Sequence, residues 1–397
     1  MRNMPTGNSG NYDVAVIGLG AMGTHAVCEL AARGHRVIGI ERFGPLHDRG
    51  SSHGDSRLIR LGYFEDPAYV PLLRRAYANW RSLEARGREA LLTITGVLQV
   101  GRPDSKVVAG VLRACAEHDI AHELLGPDVM RRRYPAFAVA DDEVAVMEPE
   151  GGFIRPERAI ATALKLAGAD GAVLHFNERV TAIEPDDAGV TIVSAAGRYR
   201  AGKVVVAAGS YVGGLVPALA GLAVPIKQVV GWYPSRDALA TKLGGMPGFL
   251  VDEGEKGTWF GFPDLGEGVK IGKHGHFFEP IDPEQPNPPV NEADRQVNDD
   301  FMARRLPGVV PTGTQFITCR YTMLPGEDFL IDLLPGEPRV IVASPCSGHG
   351  FKFASVVGEI LADLAMEGGT ALPIGLFSFA AMAARAAAAG GSVDGFE

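Results

Sequence analysis

Apolar runs and helical periodicity alternate at the start of the chain. Residues 12–17 form a short apolar run, residues 21–33 carry a helical pattern, and residues 36–40 form a second apolar run. Gly34 directly follows the helical pattern, where glycine commonly ends a helix because it adopts a left-handed conformation without strain. A strand, a helix and a second strand in this order predict a βαβ unit with parallel strands.

Later segments add further elements of both kinds. Helical patterns cover residues 66–86 and 105–118, and apolar runs at residues 203–207 and 339–343 predict buried strands. Alternating apolar and polar positions, broken by Gly and Pro, predict antiparallel strands. The segments of this kind are residues 91–100, 179–184, 190–195 and 226–275, and residues 282–289 form a proline-rich loop.

These patterns predict an α/β protein of two interleaved domains, in an α+β arrangement. A Rossmann-like domain with a parallel sheet takes residues 12–88, 152–225 and 326–397. A substrate domain with an antiparallel sheet takes residues 89–151 and 226–325. Residues 1–11 are polar, lack the apolar core of a signal peptide, and are interpreted as a loose tail.

The turn after the first predicted strand carries a glycine motif, Gly18-Leu19-Gly20-Ala21-Met22-Gly23. Glu41 ends the second strand, at the distance expected for this motif. Such glycines let backbone N–H groups reach a pyrophosphate at the helix N-terminus, and such an acid binds ribose hydroxyls. The unit predicts a dinucleotide site, and the alternative is a glycine-rich turn in an ordinary parallel sheet.

The strand at residues 203–207 bears on which dinucleotide is bound. It runs into Ala208 and Gly209. A Rossmann unit at the N-terminus with a late strand of this kind is typical of two-domain FAD flavoproteins. The alternative is that the segment is only another parallel strand.

Composition and charge exclude several classes of protein. Of the 397 residues, 46% are hydrophobic and 21% are charged, as in an ordinary globular protein. A net charge of −9 and the lack of a basic run argue against a nucleic-acid partner. The apolar stretches near residues 14–32 and 353–366 are interrupted by polar residues, so no membrane span is expected.

The cysteines lie too far apart in sequence for a C-x-x-C metal or redox pair, and they are too few for a disulfide framework. They are Cys28, Cys115, Cys319 and Cys346. We therefore expect no metal site, and a reducing, cytoplasmic setting.

Two polar segments carry candidate chemistry. The segment Gly50–Arg60 is dense in basic side chains, hydroxyls and glycines, and it is either a cofactor-facing loop or a solvated one. Lys352 falls in the first turn of a helix predicted to begin near Phe351, where the helix dipole disfavours a cation. It indicates either a bound anion or electron-rich ring nearby, or a side chain bent into solvent. Cys319, by composition alone, fits a small buried hydrophobe.

Gly50–Arg60 resembles the GS-x-HGD-[ST]-R-x-IR segment of the monomeric sarcosine oxidase and N-methyltryptophan oxidase family. The resemblance runs from about Tyr12 to Leu364 with the spacing preserved. The other matching segments are Tyr69–Leu72, Trp259–Pro263, Val269–His274, Cys319–Tyr321, Phe329–Asp332 and Ser347–Phe353.

The resemblance implies a flavoprotein whose FAD is linked through its 8α-methyl group to Cys319. It implies that Lys270 activates O2 beside the flavin, and that Arg60 and Lys352 bind the substrate carboxylate. The remaining residues that it places at the flavin ring are His53 and Arg57, and those in the substrate pocket are Tyr321, His274 and Phe260. The expected cofactor contacts are Gly18, Gly20, Gly23, Glu41, Ser51, Val180, Gly209, Cys319, Cys346, Gly348, Gly350 and Lys352.

The chain departs from the family pattern at three places near the expected pocket. Phe260 stands where family members carry Tyr, and Leu61 replaces a His that usually follows Arg60. Pro345-Cys346 precedes Ser347 where Gly-Phe is more frequent. Cys346 is therefore a second candidate for the flavin link.

The function that the resemblance implies is an FAD-dependent oxidase of secondary amino acids. An N-methyl amino acid would give the demethylated amino acid, formaldehyde and hydrogen peroxide. The alternatives are an oxidase of cyclic or bulky N-substituted amino acids (pipecolate, proline or sugar-amine adducts), a flavin-dependent dehydrogenase with another electron acceptor, and a non-enzymatic FAD or NAD binder. The expected partners are an amino acid and O2, and the expected oligomeric state is a monomer.

Overall fold

The computed structural model describes residues 11–388. Its strands are β1 (Asn11–Ile17), β2 (Val37–Ile40), β3 (Arg57–Ile59), β4 (Leu92–Ile94), β5 (Val97–Gly101), β6 (Glu123–Leu125), β7 (Val144–Glu148), β8 (Gly152–Ile154), β9 (Val173–His175), β10 (Val180–Asp186), β11 (Gly189–Ser194), β12 (Arg198–Val206), β13 (Val224–Tyr233), β14 (Gly248–Asp252), β15 (Thr258–Phe262), β16 (Val269–Lys273), β17 (Gln315–Met323), β18 (Ile331–Leu334) and β19 (Glu337–Ala343). Its α-helices are α1 (Ala21–Ala32), α2 (Val70–Gly87), α3 (Lys106–His118), α4 (Pro127–Arg133), α5 (Pro156–Ala169), α6 (Val212–Leu215), α7 (Ala238–Thr241), α8 (Glu292–Arg305), α9 (Ala354–Met366) and α10 (Phe379–Ala388).

The first sheet is the predicted Rossmann-like sheet. Its centre is β12-β1-β2-β9, with all three pairs parallel, and β19 also pairs parallel with β12. The antiparallel hairpin β10-β11 and the antiparallel strand β18 extend it. Because β1 pairs through Ile17 with both Ile40 and Val206, the carboxyl ends of three strands meet at one edge. Ligands of open α/β sheets bind at this edge.

The second sheet has eight strands in the order β17-β13-β16-β15-β14-β5-β7-β6. Its pairs are antiparallel apart from β14 with β5. A small third sheet, β3-β8-β4, joins segments from both predicted domains. The mixed fold of a parallel Rossmann-like sheet and an antiparallel sheet is as predicted, whereas the domain boundaries stay a prediction.

The predicted elements of the N-terminal unit are confirmed with small shifts. Helix α1 ends at Ala32, and Gly34 follows with φ +84°. Strand β1 begins at Asn11, the last residue of the predicted tail, because Asn11 pairs with Arg200. The rest of that tail, residues 1–10, lies outside the described residues, as do residues 389–397.

Helices α1, α5 and α9 cover the parallel sheet, and their apolar faces form its core with β1 and β19. A Cβ on Gly358 of α9 would lie 2.6 Å from the backbone of His25 in α1, so these helices cross without room for a side chain there. No helix among residues 11–388 is both long enough and apolar enough to cross a membrane.

Candidate active site

One cavity of about 420 Å³ extends from the carboxyl edge of the first sheet to the face of the second. Most of the residues predicted from the sequence line it. These are Gly18, Gly20, Glu41, Ser51, His53, Arg57, Arg60, Val180, Gly209, Phe260, His274, Cys319, Tyr321, Cys346, Gly348, Gly350 and Lys352. Among the predicted residues, Gly23 and Lys270 do not line it. Gly23 lies where α1 packs against β1, and Lys270 lines a second cavity.

The glycine motif has three distinct steric requirements. Gly18 has φ +89°, and a Cβ there would lie 2.5 Å from the carbonyl oxygen of Ala207. A Cβ on Gly23 would lie 1.8 Å from the Gly18 oxygen, so this glycine lets α1 pack against β1. A Cβ on Gly20 would meet nothing closer than 3.8 Å and would project into the cavity instead. These are the turn, packing and ligand-approach roles of a dinucleotide-binding motif.

The acid at the end of β2 completes this end of the cavity. Glu41 is buried, and its carboxylate accepts hydrogen bonds from the backbone N–H groups of Leu19 (2.7 Å) and Phe43 (2.9 Å). The first turn of α1 has no side-chain cap and no acidic residue, and its Ala21 and Met22 line the cavity. The positive end of the helix dipole therefore faces the space where a pyrophosphate would lie.

Several buried polar atoms in the cavity wall have no hydrogen-bond partner among the described residues. They are His53 Nδ1, Ser210 Oγ, Gln228 Oε1 and Ser344 Oγ. Buried polar atoms are normally paired, and the residues that carry these four all line one cavity, which fits a polar ligand there. Together with the glycine motif they fit a large dinucleotide that has polar groups along its length.

The first residue of β3, Arg57, places a cation in the wall of the cavity. Arg57 Nη2 donates to the carbonyl oxygens of Ser51 (2.9 Å) and His53 (2.6 Å), which fixes its guanidinium. The same nitrogen lies 3.9 Å from Cys319 Sγ. His53 Nε2 contacts the Thr318 carbonyl oxygen at 3.1 Å, and burial lowers the pKa of this imidazole.

The two cysteines of the cavity differ in environment. Cys319 is buried on β17; burial raises the pKa of its thiol, and the Arg57 charge acts in the opposite direction. Cys346 is partly exposed, and its sulfur accepts a hydrogen bond from the Thr322 backbone N–H at 3.3 Å. Since a thiolate is the reactive form, Cys319 beside a fixed guanidinium is the better placed of the two for covalent chemistry.

Lys352 points into the protein rather than into solvent. Its Nζ donates to the His349 carbonyl oxygen at 2.6 Å and lies 5.2 Å from the centroid of the Tyr63 ring. Burial and then the charge of Arg60 lower the pKa of Lys352 to about 7. A buried ammonium group without a carboxylate of its own favours an anion in the adjacent cavity.

Arg60 lies next to Lys352 and already has a carboxylate partner. Its Nη2 donates to both oxygens of Glu65, at 2.8 and 2.9 Å, and its Nη1 donates to the Gly62 carbonyl oxygen at 2.7 Å. The Glu65 carboxylate has its pKa lowered to about 2, because the Arg60, His349 and Lys352 charges outweigh the effect of burial. Of the predicted carboxylate clamp, Arg60 is therefore occupied by an internal carboxylate, whereas Lys352 is not.

The opposite wall of this end is aromatic. The rings of His274 and Tyr321 lie 5.7 Å apart, and burial lowers the pKa of His274 and raises that of Tyr321. Gly348 has φ +80°, and a Cβ there would lie 2.5 Å from Tyr321 and 2.6 Å from His274. Glycine is thus required for both rings to reach the cavity, and Phe260 lies on the same wall.

Lys270 lies behind the main cavity. Its Nζ donates to the carbonyl oxygens of Gly54 and Ser56 and to Ser56 Oγ, so all three hydrogens have acceptors in the Arg57 loop. Burial, together with the charge of Arg57, lowers the pKa of Lys270 well below its ordinary value. It lines a second cavity instead, together with Ser56.

Several residues that shape the site were not predicted from the sequence. Glu65 is the partner of Arg60, and Glu157 at the start of α5 accepts hydrogen bonds from the backbone N–H groups of Gly54 and Asp55. Arg320 is fully buried and holds the proline-rich loop through the carbonyl oxygens of Pro283 and Gln285. Its position directly after Cys319 is the only signal that the sequence offers for it.

The sequence model of a family described as FAD dependent oxidoreductase matches residues 13–364 of this chain. The chain belongs to this family. Monomeric sarcosine oxidase of Streptomyces avermitilis is 43% identical over 377 residues, which cover 93% of this chain and 97% of the relative. N-methyl-L-tryptophan oxidase of Yersinia pestis is 37% identical over 372 residues, with 93% and 99% covered.

Solved structures share the fold of this chain. The open form of NikD, an unusual amino acid oxidase essential for nikkomycin biosynthesis, superposes with a TM-score of 0.80 at 28% identity, covering 93% of this chain and 97% of NikD. L-proline dehydrogenase from P. horikoshii shares the fold, with a TM-score of 0.79 at 21% identity and with 96% and 99% covered.

Family membership confirms the resemblance predicted from the sequence. The protein is an FAD-dependent amine oxidoreductase, an enzyme of the sarcosine oxidase type. The glycine motif, Glu41 and the unpartnered polar atoms of the cavity are the features of this structure that fit FAD.

Proposed function

We propose that this enzyme is an FAD-dependent oxidase of secondary amino acids, with N-methyl amino acids as its first substrate class. It would oxidise the C–N bond to an imine that hydrolyses, and O2 would be reduced to hydrogen peroxide. The observation that carries the proposal is the continuity of one cavity from the dinucleotide motif at Gly18 to the buried ammonium group of Lys352. The names of the two curated relatives support the same substrate class.

FAD would lie along the cavity with its pyrophosphate at Gly20 and the start of α1, and its ribose at Glu41. Val180, Gly209 and Ser51 would line its path, and Cys319 would be the point of covalent attachment. When bound, FAD would accept two electrons and one proton from the amine, with the second proton going to solvent, and would pass the electrons on to the oxidant. The Arg57 guanidinium beside Cys319 would favour the thiolate that attachment requires.

The substrate carboxylate would bind between Lys352 and Arg60. Lys352 is buried and has no carboxylate of its own, so its ammonium group is available to the ligand. Arg60 would join once the ligand competes with Glu65 for its guanidinium. Holding the carboxylate fixes the amine over the cofactor, where orientation lowers the barrier. His274, Tyr321 and Phe260 would enclose the substituents of the amine.

Substrate selectivity is tested by a peroxide-coupled screen. We expect N-methyl amino acids to be oxidised faster than cyclic ones and faster than the matching N-methyl amines that lack a carboxylate.

The clamp is tested by a variant of Arg60. Losing a charge-assisted contact of about 1.5–3 kcal/mol lowers kcat/KM by roughly 10- to 150-fold. We therefore expect Arg60→Ala to lose this much on the amino acid and little on the amine. Equal losses on both compounds would reject the clamp.

The oxidant is tested by comparing aerated and anaerobic turnover. An oxidase forms one peroxide for each amine oxidised in air and stops after one turnover without oxygen. Turnover that needs an added protein or dye acceptor in air would identify a dehydrogenase instead. The monomeric state and the cytoplasmic location stay predictions that gel filtration and cell fractionation check.

A further inference from the structure

The proline-rich loop forms a strap at the edge of the main cavity. This strap, residues 282–289, lies between β16 of the second sheet and α8. The Glu284 side chain is 44% exposed and also lines the main cavity, so it lies between that cavity and solvent. The proposed reaction does not use the strap, although one of its side chains faces the space proposed for the cofactor.

Glu284 joins the strap to the first sheet through two arginines. Its carboxylate accepts hydrogen bonds from Arg42 Nη1 (2.8 Å) and Nη2 (2.7 Å), and Arg179 Nη1 lies 3.3 Å from it. Arg42 directly follows Glu41, and Arg179 directly precedes Val180. Because Glu41 and Val180 are predicted cofactor contacts, the clasp formed by Glu284, Arg42 and Arg179 lies at the part of the cavity proposed for the nucleotide.

Arg320 fixes the strap to β17. Its guanidinium is fully buried and donates to Asn287 Oδ1 (2.6 Å) and to the carbonyl oxygens of Pro283 (2.9 Å) and Gln285 (2.7 Å). Its other acceptor is the hydroxyl group of Tyr211, which lines the main cavity. A buried charge is costly without its hydrogen bonds, so these contacts hold the strap in one position.

The two attachments of the strap differ in strength. The Arg320 contacts are buried, whereas the clasp is partly exposed, with Arg42 at 24% and Arg179 at 55%. Exposed ion pairs contribute little stability, because water competes for both partners. The clasp therefore opens more easily than the buried attachment, and it opens without unfolding the strap.

We infer that the clasp retains FAD: Glu284, Arg42 and Arg179 close the cavity over the nucleotide half, and the cofactor enters and leaves while the clasp is open. The clasp residues bind one another, so breaking the clasp takes no contact away from FAD. Entry and exit are therefore accelerated alike, and the affinity for FAD is unchanged. The inference concerns cofactor exchange and goes beyond the proposed reaction, since it involves neither amine nor oxygen.

The test measures FAD release without turnover. A Cys319→Ser/Cys346→Ser parent chain lacks both candidate link residues, so its FAD exchanges whichever cysteine forms the link. An excess of a competing apoflavoprotein traps FAD as it leaves the holoprotein, and flavin fluorescence gives the release rate. The fraction released on dilution gives Kd. We expect Glu284→Gln to speed release by about fivefold, equivalent to ~1 kcal/mol of barrier, with Kd unchanged.

Two comparisons separate the clasp from a general effect of charge. In an Arg42→Met/Arg179→Met background the clasp is already absent, so Glu284→Gln should not speed release further. Glu184→Gln removes the carboxylate of another exposed ion pair, with Arg198, on the first sheet. Glu184 is 50% exposed and does not line the main cavity, so this variant should release FAD at the rate of the parent.

Three results would overturn the inference. Unchanged release in Glu284→Gln would show that the clasp does not limit exit. A Kd that rises in step with the release rate would show that Glu284 holds FAD directly, as would the same acceleration in the background without the two arginines. None of these results bears on the proposed oxidase function, which a wild-type chain without any FAD would overturn.

Discussion

At the scale of single residues, the contact between Arg60 and Glu65 would control how the proposed carboxylate substrate binds. The guanidinium is 3% exposed and both its terminal nitrogens are already occupied. A ligand must displace Glu65 or bind Lys352 alone. Because a charge-assisted hydrogen bond is worth about 1.5–3 kcal/mol, we expect Glu65→Gln to lower the KM for a carboxylate substrate by roughly tenfold or more.

The measurement is KM for an N-methyl amino acid and for the matching amine without a carboxylate. Glu150→Gln removes an exposed carboxylate elsewhere in the chain and serves as the control. The amine should be unaffected in both variants. A higher KM in Glu65→Gln would mean that Glu65 orients Arg60 for the ligand and does not compete with it.

A second prediction at this scale concerns pH. The pKa of Lys352 is lowered to about 7, whereas a carboxylate ligand favours its charged form. Ligand binding therefore takes up a proton, and affinity is full below about pH 7 and falls as pH rises, by up to tenfold per pH unit. We expect this fall when acetate binding is followed by flavin absorbance from pH 6 to 9. Lys352→Met should bind more weakly and lose the pH dependence; a parallel slope in both proteins would assign it to another group.

At the scale of elements, β7 fixes the segment that carries Arg60. Glu148 is fully buried, and its carboxylate accepts hydrogen bonds from the N–H groups of Leu61 (2.5 Å) and Gly62 (2.8 Å). The carbonyl oxygen of Gly62 in turn accepts a hydrogen bond from Arg60. Burial raises the pKa of Glu148, and these backbone contacts act against that rise.

Glu148→Gln places an amide where two donors need acceptors, so one backbone N–H remains buried and unpaired. We expect the free energy of unfolding in urea to fall by about 1–3 kcal/mol. We also expect a higher KM for carboxylate substrates with little change for amines, since the Arg60 backbone shifts. Glu150→Gln again serves as the control, and loss of stability with an unchanged KM would show that β7 supports the fold alone.

Elements also show what the sequence could predict. The βαβ unit, its glycine motif and Glu41 lie in one continuous segment, so local patterns identify them. Lys352 was identifiable because the pattern predicted a cation in the first turn of a helix, where the dipole disfavours it. In the structure Lys352 lies in a short 3-10 turn, Phe351–Phe353, and α9 begins only at Ala354. The Arg60–Glu65 pair, the Glu148 contacts and the cavity behind Lys270 depend on how distant segments meet. Glu148 is separated by more than eighty residues from the backbone N–H groups that donate to it, so no local sequence pattern predicts these hydrogen bonds.

At the scale of the whole molecule, the proposed flavin would tie the two sheets together. The glycine motif belongs to the first sheet, and Cys319 belongs to β17 of the second. A covalent FAD would therefore span both, as a cross-link between parts of the chain that are 300 residues apart in sequence (Gly18 and Cys319, roughly). Without the covalent bond, FAD would keep its non-covalent contacts with the protein, and its binding would become reversible.

Cys319→Ser tests this link. The wild-type protein should keep its flavin after acid precipitation, and its Tm should not depend on added FAD. The variant should release its flavin, and free FAD should stabilise it by RT ln(1 + [FAD]/Kd), about 2.7 kcal/mol at a hundredfold excess over Kd. Cys346→Ser is the matched control, because Cys346 lines the same cavity and should be dispensable for the link.

If Cys319→Ser retained covalent flavin and Cys346→Ser lost it, Cys346 would be the point of attachment instead. If the wild type itself released FAD in acid, the cofactor would be held by the cavity contacts alone, and its Tm would then rise with added FAD as in the variant.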